Sequence, residues 1–252
     1  MVVIDGHTHF AGPGKGLPPN TIEDFTEIMD YNGIDAVVTC APYSSIGKDR
    51  TYDEANKFLA EIMKKTNRII GFVRVNPHLQ ENALQSIRDC KAQGFRGIKF
   101  HPRNEAFAIN DEHIVFPIAE LAAKLDLPIL IHTGEPDTYG FAQPTPVGDL
   151  ADYFPDLNLI IGHMGKRLYE DAICVARWFD NIILDTSFRS HKNIERAINR
   201  VGADRVIYGS DIPFGVPEIE LLKIKVANIS EEERRMVLGE NMANLLDWEV
   251  KS

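Results

Sequence analysis

Two histidines near the start of the chain, His7 and His9, have the spacing of a metal-binding pair. They follow Val2 to Ile4, a short apolar run typical of a buried strand. On a strand, side chains at i and i+2 point to the same face, with α-carbons about 6–7 Å apart. Two imidazoles at that separation can share one ion, with Zn–N distances of about 2.0–2.1 Å. Two loop histidines with ordinary hydrogen bonds would have the same spacing, so the spacing alone does not identify a metal site.

Other residues able to do chemistry also follow short apolar runs. Five of the eight histidines stand at the end of such a run, namely His7, His9, His101, His132 and His163. Two further runs end in aspartates, Asp185 and Asp211. Imidazoles and carboxylates are the ligands of a borderline-soft divalent ion such as zinc. The question is then whether the fold brings these run ends together.

Eight apolar runs of four or five residues alternate with amphipathic segments. Their continuous Val, Ile and Leu content is typical of parallel strands covered by helices. The predicted strands are Val2–Asp5, Ala36–Cys40, Ile69–Val73, Gly97–Phe100, Pro128–Ile131, Leu159–Gly162, Ile182–Asp185 and Val206–Gly209. The predicted helices are Thr21–Tyr31 (capped by Asn20), Tyr52–Lys65, Glu81–Gln93, Glu112–Leu125, Val147–Phe154, Leu168–Phe179, His191–Val201 and Pro217–Val226, with Ser230–Leu238 and Asn241–Leu246 closing the chain.

Eight strand–helix units in 252 residues predict a single (β/α)8 TIM barrel spanning residues 1–252. An open doubly wound sheet is the alternative, but no Gly-x-Gly-x-x-Gly follows the first strand. In such barrels the active site lies at the carboxyl ends of the strands. The histidines and aspartates at the run ends would therefore meet at one mouth.

Alternation along the strands predicts which side chains face inward. On the fourth strand, Ile98 and Phe100 should face the helices, which turns Lys99 and His101 toward the mouth. A buried lysine needs a partner, so Lys99 should meet a metal, a carboxylate or a substrate. On the first strand, the same alternation puts Val3, Asp5, His7 and His9 on one face.

Composition limits the partners. The net charge of −10 makes nucleic acid an unlikely match, because an acidic surface repels phosphates. The three cysteines form no C-x-x-C pair, which favours a reducing cytoplasm. No signal peptide and no apolar run long enough for a membrane span is present in the sequence. A small-molecule substrate is the expected partner, and a homo-oligomer is compatible with the sequence.

Four ordered motifs resemble those of the amidohydrolase superfamily. They are most similar to its amidohydrolase-related branch, which also contains zinc-dependent nonoxidative decarboxylases and lactone hydrolases. The motifs are Asp5-Gly6-His7-Thr8-His9, Ile131-His132-Thr133-Gly134, Ile161-Gly162-His163-Met164-Gly165 and Gly209-Ser210-Asp211-Ile212-Pro213. The closing segment from Glu240 to Leu246 resembles the helix that ends those barrels.

The resemblance implies a role for each motif. His7, His9, His132 and Asp211 would bind one divalent metal, most simply Zn²⁺, which lowers the pKa of bound water toward about 7. Asp211 would also accept a proton, and His163 would act beside the metal in catalysis. Position and residue type, rather than the resemblance, suggest the other roles. Lys99 would bind substrate, His101 would line the pocket or make a structural hydrogen bond, and Asp5 would orient a ligand or serve as a buried hydrogen-bonding aspartate. In two-metal branches the histidine that corresponds to His163 is itself a ligand, and a carboxylated lysine after the fourth strand bridges the two ions. Lys99 stands at such a strand end, so a site with two metal ions is an alternative.

Four functions remain compatible with these residues. The first is a metal-dependent hydrolase of a small ester, lactone or amide. Its close rival is a nonoxidative decarboxylase of a small aromatic or unsaturated carboxylic acid, which uses the same ligands. A TatD-type DNase is disfavoured because Gly97-Ile98-Lys99 stands where that family has a Gly-Glu stretch. A binding module with a structural metal is also open, although structural zinc sites often contain cysteine.

Overall fold

Eight parallel strands form one sheet whose order follows the chain. This is a computed structural model, and it describes residues 1–10, 21–41, 51–134 and 140–249. The strands are β1 (Ile4–His9), β2 (Ala36–Cys40), β3 (Ile69–Arg74), β4 (Gly97–Phe100), β5 (Ile129–Ile131), β6 (Leu159–Ile161), β7 (Ile182–Asp185) and β8 (Val206–Ile207). Each strand pairs in parallel with the next.

Backbone hydrogen bonds join the last strand region to the first and close the barrel. The Gly6 N–H donates to the Tyr208 carbonyl at 2.8 Å, and the Asp211 N–H donates to the His7 carbonyl at 2.7 Å. The His9 N–H donates to the Ile212 carbonyl at 2.7 Å. The predicted (β/α)8 barrel is confirmed, and the open sheet is excluded by this closure.

Helices connect the strands and cover the barrel. They are α1 (Ile22–Asn32), α2 (Asp53–Met63), α3 (Glu81–Ala92), α4 (Pro102–Glu105), α5 (Phe116–Lys124), α6 (Thr145–Tyr153), α7 (Tyr169–Trp178), α8 (His191–Val201), α9 (Pro217–Val226), α10 (Glu231–Arg235) and α11 (Asn241–Leu245). The first of these is capped by Thr21, whose hydroxyl accepts from the Asp24 N–H and whose N–H donates to the Asp24 carboxylate. The prediction of Asn20 as the cap was wrong, because Thr21 forms this reciprocal capping box with Asp24.

Alternation along the strands divides the core into two layers. The larger layer lies between the sheet and the helices and contains Ile98 and Phe100, as predicted. A smaller layer fills the barrel interior with Ile70, Phe72 and Ile160, among others, and Met242 from α11 packs against it. The interior is therefore a packed core, which leaves the chemistry to the strand ends.

The first strand departs from simple alternation. Its pairing with β2 shifts register between Asp5 and Thr8, where one extra residue is inserted. Before the shift Ile4 faces the barrel interior and Val3 packs under the helices. The prediction that Val3 and Asp5 share a face with His7 and His9 was therefore wrong, because a β-bulge reverses the alternation after Asp5.

Two further predictions from the sequence fall outside the described residues. They are that the Gly-rich loop at 12–16 acts as a lid and that Glu135, which follows His132 closely, faces the site. Among the helices of the described ranges, none has the length and apolarity needed to cross a membrane.

The barrel interior should depend on close packing at Ile160, whose side chain is fully buried. Replacing Ile160 with Ala should lower the free energy of unfolding by about 2–5 kcal/mol, because a cavity remains. The matched change Ile219→Ala, at a position 53% exposed on α9, should alter it by about 0.5 kcal/mol or less. Urea unfolding followed by circular dichroism measures both, and equal losses would contradict the assignment of the interior layer.

Candidate metal centre

The two histidines of β1 converge on one carboxylate oxygen. The Asp211 Oδ1 atom lies 3.0 Å from His9 Nε2 and 3.4 Å from His7 Nε2. All three side chains are buried. The pair at the start of the chain and the aspartate about 200 residues later thus form one cluster, as the sequence predicted.

The bulge in β1 is what turns these histidines inward. With Ile4 facing the interior, strict alternation would direct His7 and His9 toward the helices. The extra residue between Asp5 and Thr8 shifts the phase by one, so that His9 pairs with Cys40, an interior position of β2. A bulge beside a functional site is a common way to re-aim a side chain.

Each histidine of the pair is held through its Nδ1 atom. His7 Nδ1 donates to Asp185 Oδ2 at 2.7 Å, and His9 Nδ1 lies 3.2 Å from Cys40 Sγ. These partners fix the orientation of both rings and leave Nε2 directed at Asp211. Burial by itself lowers the pKa of His9, but the Cys40 sulfur and Asp211 outweigh it and raise that pKa to about 9.

A second histidine group lies beside the first. The ring of His163 stacks on His7 with centroids 4.8 Å apart, and His163 Nε2 lies 3.0 Å from His132 Nδ1. The ring of His132 in turn stacks on His101 at 3.8 Å. Burial lowers the pKa of His163, His132 and His101 well below the usual value, so these three imidazoles are neutral at pH 7.

Left-handed backbone conformations occur at three neighbouring strand ends. His163, Phe188 and Asp211 have φ values of 58°, 60° and 57°, and they follow β6, β7 and β8. Non-glycine residues rarely adopt this conformation, and its energetic cost is typically tolerated at functional sites. The turn after β6 packs tightly on Gly134, where a Cβ atom would lie 2.0 Å from the Gly165 carbonyl carbon.

Lys99 lies deeper than a residue at the rim of the mouth. Its Nζ atom is 2.8 Å from His7 Nε2, and its side chain is fully buried. Because His7 Nδ1 already donates to Asp185, Lys99 is the donor in this contact. Burial lowers the pKa of Lys99. A role in holding substrate stays a prediction for Lys99, as it does for the half-buried His101.

The residues present fit a divalent cation. Ligand atoms of His7, His9 and Asp211 lie within 4.8 Å of one another, as do those of His7, His163 and Asp185. Burial raises the pKa of Asp211, but His7 and His9 outweigh this and lower it, which keeps a buried anion beside two imidazoles. Two nitrogens and one carboxylate oxygen are a donor set suited to zinc or manganese.

His132 belongs to neither of these two ligand groups. It reaches the cluster through His163, so its role as third nitrogen ligand stays a prediction. The same holds for the catalytic roles of His163 and Asp211.

Sequence reasoning missed residues that support the centre. Asp185 was noted only as the end of β7, yet it accepts from His7, from Ser187 and from the His163 backbone. Its position at a strand end beside the other motifs was the signal that could have identified it. Cys40 gave no such signal, because a cysteine ending an apolar run reads as core.

Comparison with known proteins places the chain in a family. A family profile described as amidohydrolase matches residues 4–248. The chain therefore belongs to the amidohydrolase family and is an enzyme of the amidohydrolase superfamily, as its motifs predicted.

Two relatives by sequence are γ-resorcylate decarboxylases. The γ-resorcylate decarboxylase of Polaromonas sp. strain JS666 is 26% identical over 277 aligned positions, covering 86% of this chain and 85% of the relative. The γ-resorcylate decarboxylase of Rhizobium radiobacter is also 26% identical, over 247 positions that cover 75% of each protein. These names favour the decarboxylase alternative over the hydrolase that the motifs put first.

Solved structures share the fold. A dihydroxybenzoic acid decarboxylase from Polaromonas sp. JS666, with bound manganese and the inhibitor 2-nitroresorcinol, superposes with a TM-score of 0.80 at 21% identity and covers 98% of this chain and 97% of its own. A putative amidohydrolase from Staphylococcus aureus superposes at 0.79 with 20% identity, covering 98% and 100%. The manganese belongs to the first of these structures, and the identity of the ion, zinc in particular, stays a prediction for this chain.

Asp5 gives the site a measurable pH dependence. Burial raises the pKa of Asp5 from 3.8 to about 7, so between these values the folded protein keeps a proton that the unfolded chain has released. Wild-type stability should therefore fall by at most about 4 kcal/mol as the pH rises from about 4 to about 7, and then level off.

The change Asp5→Asn removes this titration and keeps Oδ1 as the acceptor for the Ser210 N–H, which lies 2.9 Å away. Urea unfolding in the presence of a chelator, at about pH 4.5 and about pH 8, gives the difference between the two proteins. We expect the wild type to lose stability relative to D5N at the higher pH. A difference independent of pH would show that Asp5 is ionised throughout.

Proposed function

We propose that this protein is a metal-dependent nonoxidative decarboxylase of a small aromatic or unsaturated carboxylic acid. The observation that carries the proposal is the buried cluster of His7, His9 and Asp211 at the mouth of the barrel. The similarity to a γ-resorcylate decarboxylase supports it, because the alignment covers most of both chains. Hydrolysis of an ester, lactone or amide is the competing reaction, and it would use the same residues.

Decarboxylation makes three demands on a site. The carboxylate must be held, the carbon that loses carbon dioxide must receive a proton, and water must be kept away from the intermediate charge. The reaction balances as one carboxylate and one proton giving carbon dioxide and one new C–H bond. No oxygen from water enters the product.

A divalent cation held by His7, His9 and Asp211, with His132 as the expected further ligand, would supply the positive charge that binds the carboxylate and polarises it. The burial of these side chains strengthens such an interaction, because few water molecules screen it. Lys99 adds a hydrogen-bond donor beside His7. The site is therefore suited to an anionic substrate despite the acidic surface of the protein.

Asp211 is the residue suited to move the proton. Since His7 and His9 lower its pKa, it is a carboxylate at neutral pH and can accept a proton from the substrate or from solvent. It would then deliver that proton to the carbon as the bond to carbon dioxide breaks. His163, whose Nδ1 lies 2.8 Å from Ser187 Oγ, would act beside the metal by holding His132 through Nε2.

Aromatic rings at the mouth support a flat substrate. Phe214, which is 41% exposed, packs edge-on against His9 with ring centroids 5.6 Å apart. Phe188 packs against His163 at 5.5 Å. Offset or edge-on contacts with such rings stabilise a bound aromatic ring by about 0.5–1.5 kcal/mol each.

The proposal is tested by incubating the manganese- or zinc-loaded enzyme in H₂¹⁸O with 2,6-dihydroxybenzoate, other hydroxybenzoates and small unsaturated acids. We expect carbon dioxide and a product without ¹⁸O from at least one acid, and no turnover after metal removal with a chelator. The Asp211→Asn and His163→Ala variants should lose about 10²-fold or more of kcat, while His191→Ala, at the first residue of α8, should keep it.

Two results would contradict the proposal. One is a lactone or ester substrate whose product carries ¹⁸O while no acid releases carbon dioxide. The other is full decarboxylase activity in the Asp211→Asn variant, which would remove the proposed proton carrier. DNA cleavage that is lost in His7→Ala would instead support the DNase alternative.

A further inference from the structure

Asp185, Ser187, His163 and His132 form a chain of hydrogen bonds at the centre of the site. Asp185 Oδ2 lies 2.7 Å from Ser187 Oγ, which lies 2.8 Å from His163 Nδ1. His163 Nε2 then lies 3.0 Å from His132 Nδ1. All four side chains are buried, so each contact must be a matched donor and acceptor rather than one mediated by bulk water.

The direction of this chain is set at its Asp185 end. Asp185 receives four hydrogen bonds, from His7 Nδ1, the His163 N–H, the Ser187 N–H and the Ser187 hydroxyl. An ionised carboxylate only accepts, so the Ser187 proton points at Asp185. A hydroxyl has one proton, and Ser187 Oγ must therefore accept from His163 Nδ1.

The remaining protons follow in order. With the proton of neutral His163 on Nδ1, its Nε2 carries a lone pair and can only accept. The 3.0 Å contact is then donated by His132 Nδ1, which leaves the lone pair of His132 on Nε2. The same carboxylate fixes the proton of His7 on Nδ1 and its lone pair on Nε2.

We infer that Asp185 and Ser187 act together as positioning residues that fix the tautomers of three histidines, His7 directly and His163 and His132 through Ser187, so that His132 presents Nε2 as a metal ligand. The first part concerns the protein alone, and only the last clause depends on the proposed metal site. The neutral histidine side chain in water prefers its proton on Nε2. Three histidines with the proton on Nδ1 are thus the opposite of the default.

Histidine ¹⁵N NMR tests this in the chelator-treated wild type, since protonated and unprotonated ring nitrogens have separate shifts. We expect His7, His132 and His163 each to carry one proton, on Nδ1. Ser187→Ala removes the acceptor of His163 Nδ1, and we expect the protons of His163 and His132 to move to Nε2. The affinity for Mn²⁺ or Zn²⁺, measured by competition with a chelator, should fall by about 10–100-fold.

Ser86→Ala is the matched control, because Ser86 also donates to an aspartate, Asp53, at 2.7 Å, but from α3 outside the mouth. It should change neither the tautomers nor the metal affinity. The inference is overturned if wild-type His163 or His132 carries its proton on Nε2 or is doubly protonated. It is also overturned if Ser187→Ala weakens metal binding without moving a proton, since that would mean a merely structural role.

These readouts are independent of turnover. If the histidines have the expected tautomers but the protein decarboxylates no acid, the proposed function is contradicted and this inference is not. If the protein decarboxylates an acid but the tautomers differ, this inference is contradicted and the proposed function is not.

Discussion

Asp211 reaches the two histidines of β1 because backbone hydrogen bonds close the barrel between the first and last strands. The Asp211 N–H donates to the His7 carbonyl, and the His9 N–H donates to the Ile212 carbonyl, so the two segments are locked in one register. Residues about 200 positions apart are thereby held within 3.0–3.4 Å. Every other feature of the site, from the bulge in β1 to the carboxylate of Asp185, adjusts the side chains within that closed frame.

The groups behind the histidines complete this frame. Asp185 contacts Nδ1 of His7, and Cys40 contacts Nδ1 of His9. These contacts direct both Nε2 atoms toward Oδ1 of Asp211. Bringing so many polar groups into a barrel mouth costs solvation, and the hydrogen bonds among them offset part of that cost. The left-handed backbone at His163, Phe188 and Asp211 is a second cost, concentrated where the strand ends meet.

The sequence predicted the barrel and the convergence of His7, His9 and Asp211 because strands and the residues at their ends follow local patterns. Apolar runs such as Ile182–Asp185 mark strands, and the residue types at their ends mark the mouth. The bulge in β1 could not be predicted, since it is decided by the pairing of Asp5 and Thr8 with β2 rather than by propensity. The depth of Lys99 and the hydrogen bonds of Asp185 also depend on neighbours distant in the chain. The motifs could not distinguish hydrolysis from decarboxylation, because both reactions use the same ligands. The similarity to a γ-resorcylate decarboxylase favours decarboxylation.

We propose that the closed barrel assembles His7, His9 and Asp211 into a site for one divalent cation. Anomalous diffraction from crystals grown with Mn²⁺ tests it most directly. We expect a peak bonded to Nε2 of His7, Nε2 of His9 and a carboxylate oxygen of Asp211. A peak bonded only to His163 and Asp185, or no peak at millimolar Mn²⁺ in an intact barrel, would contradict it.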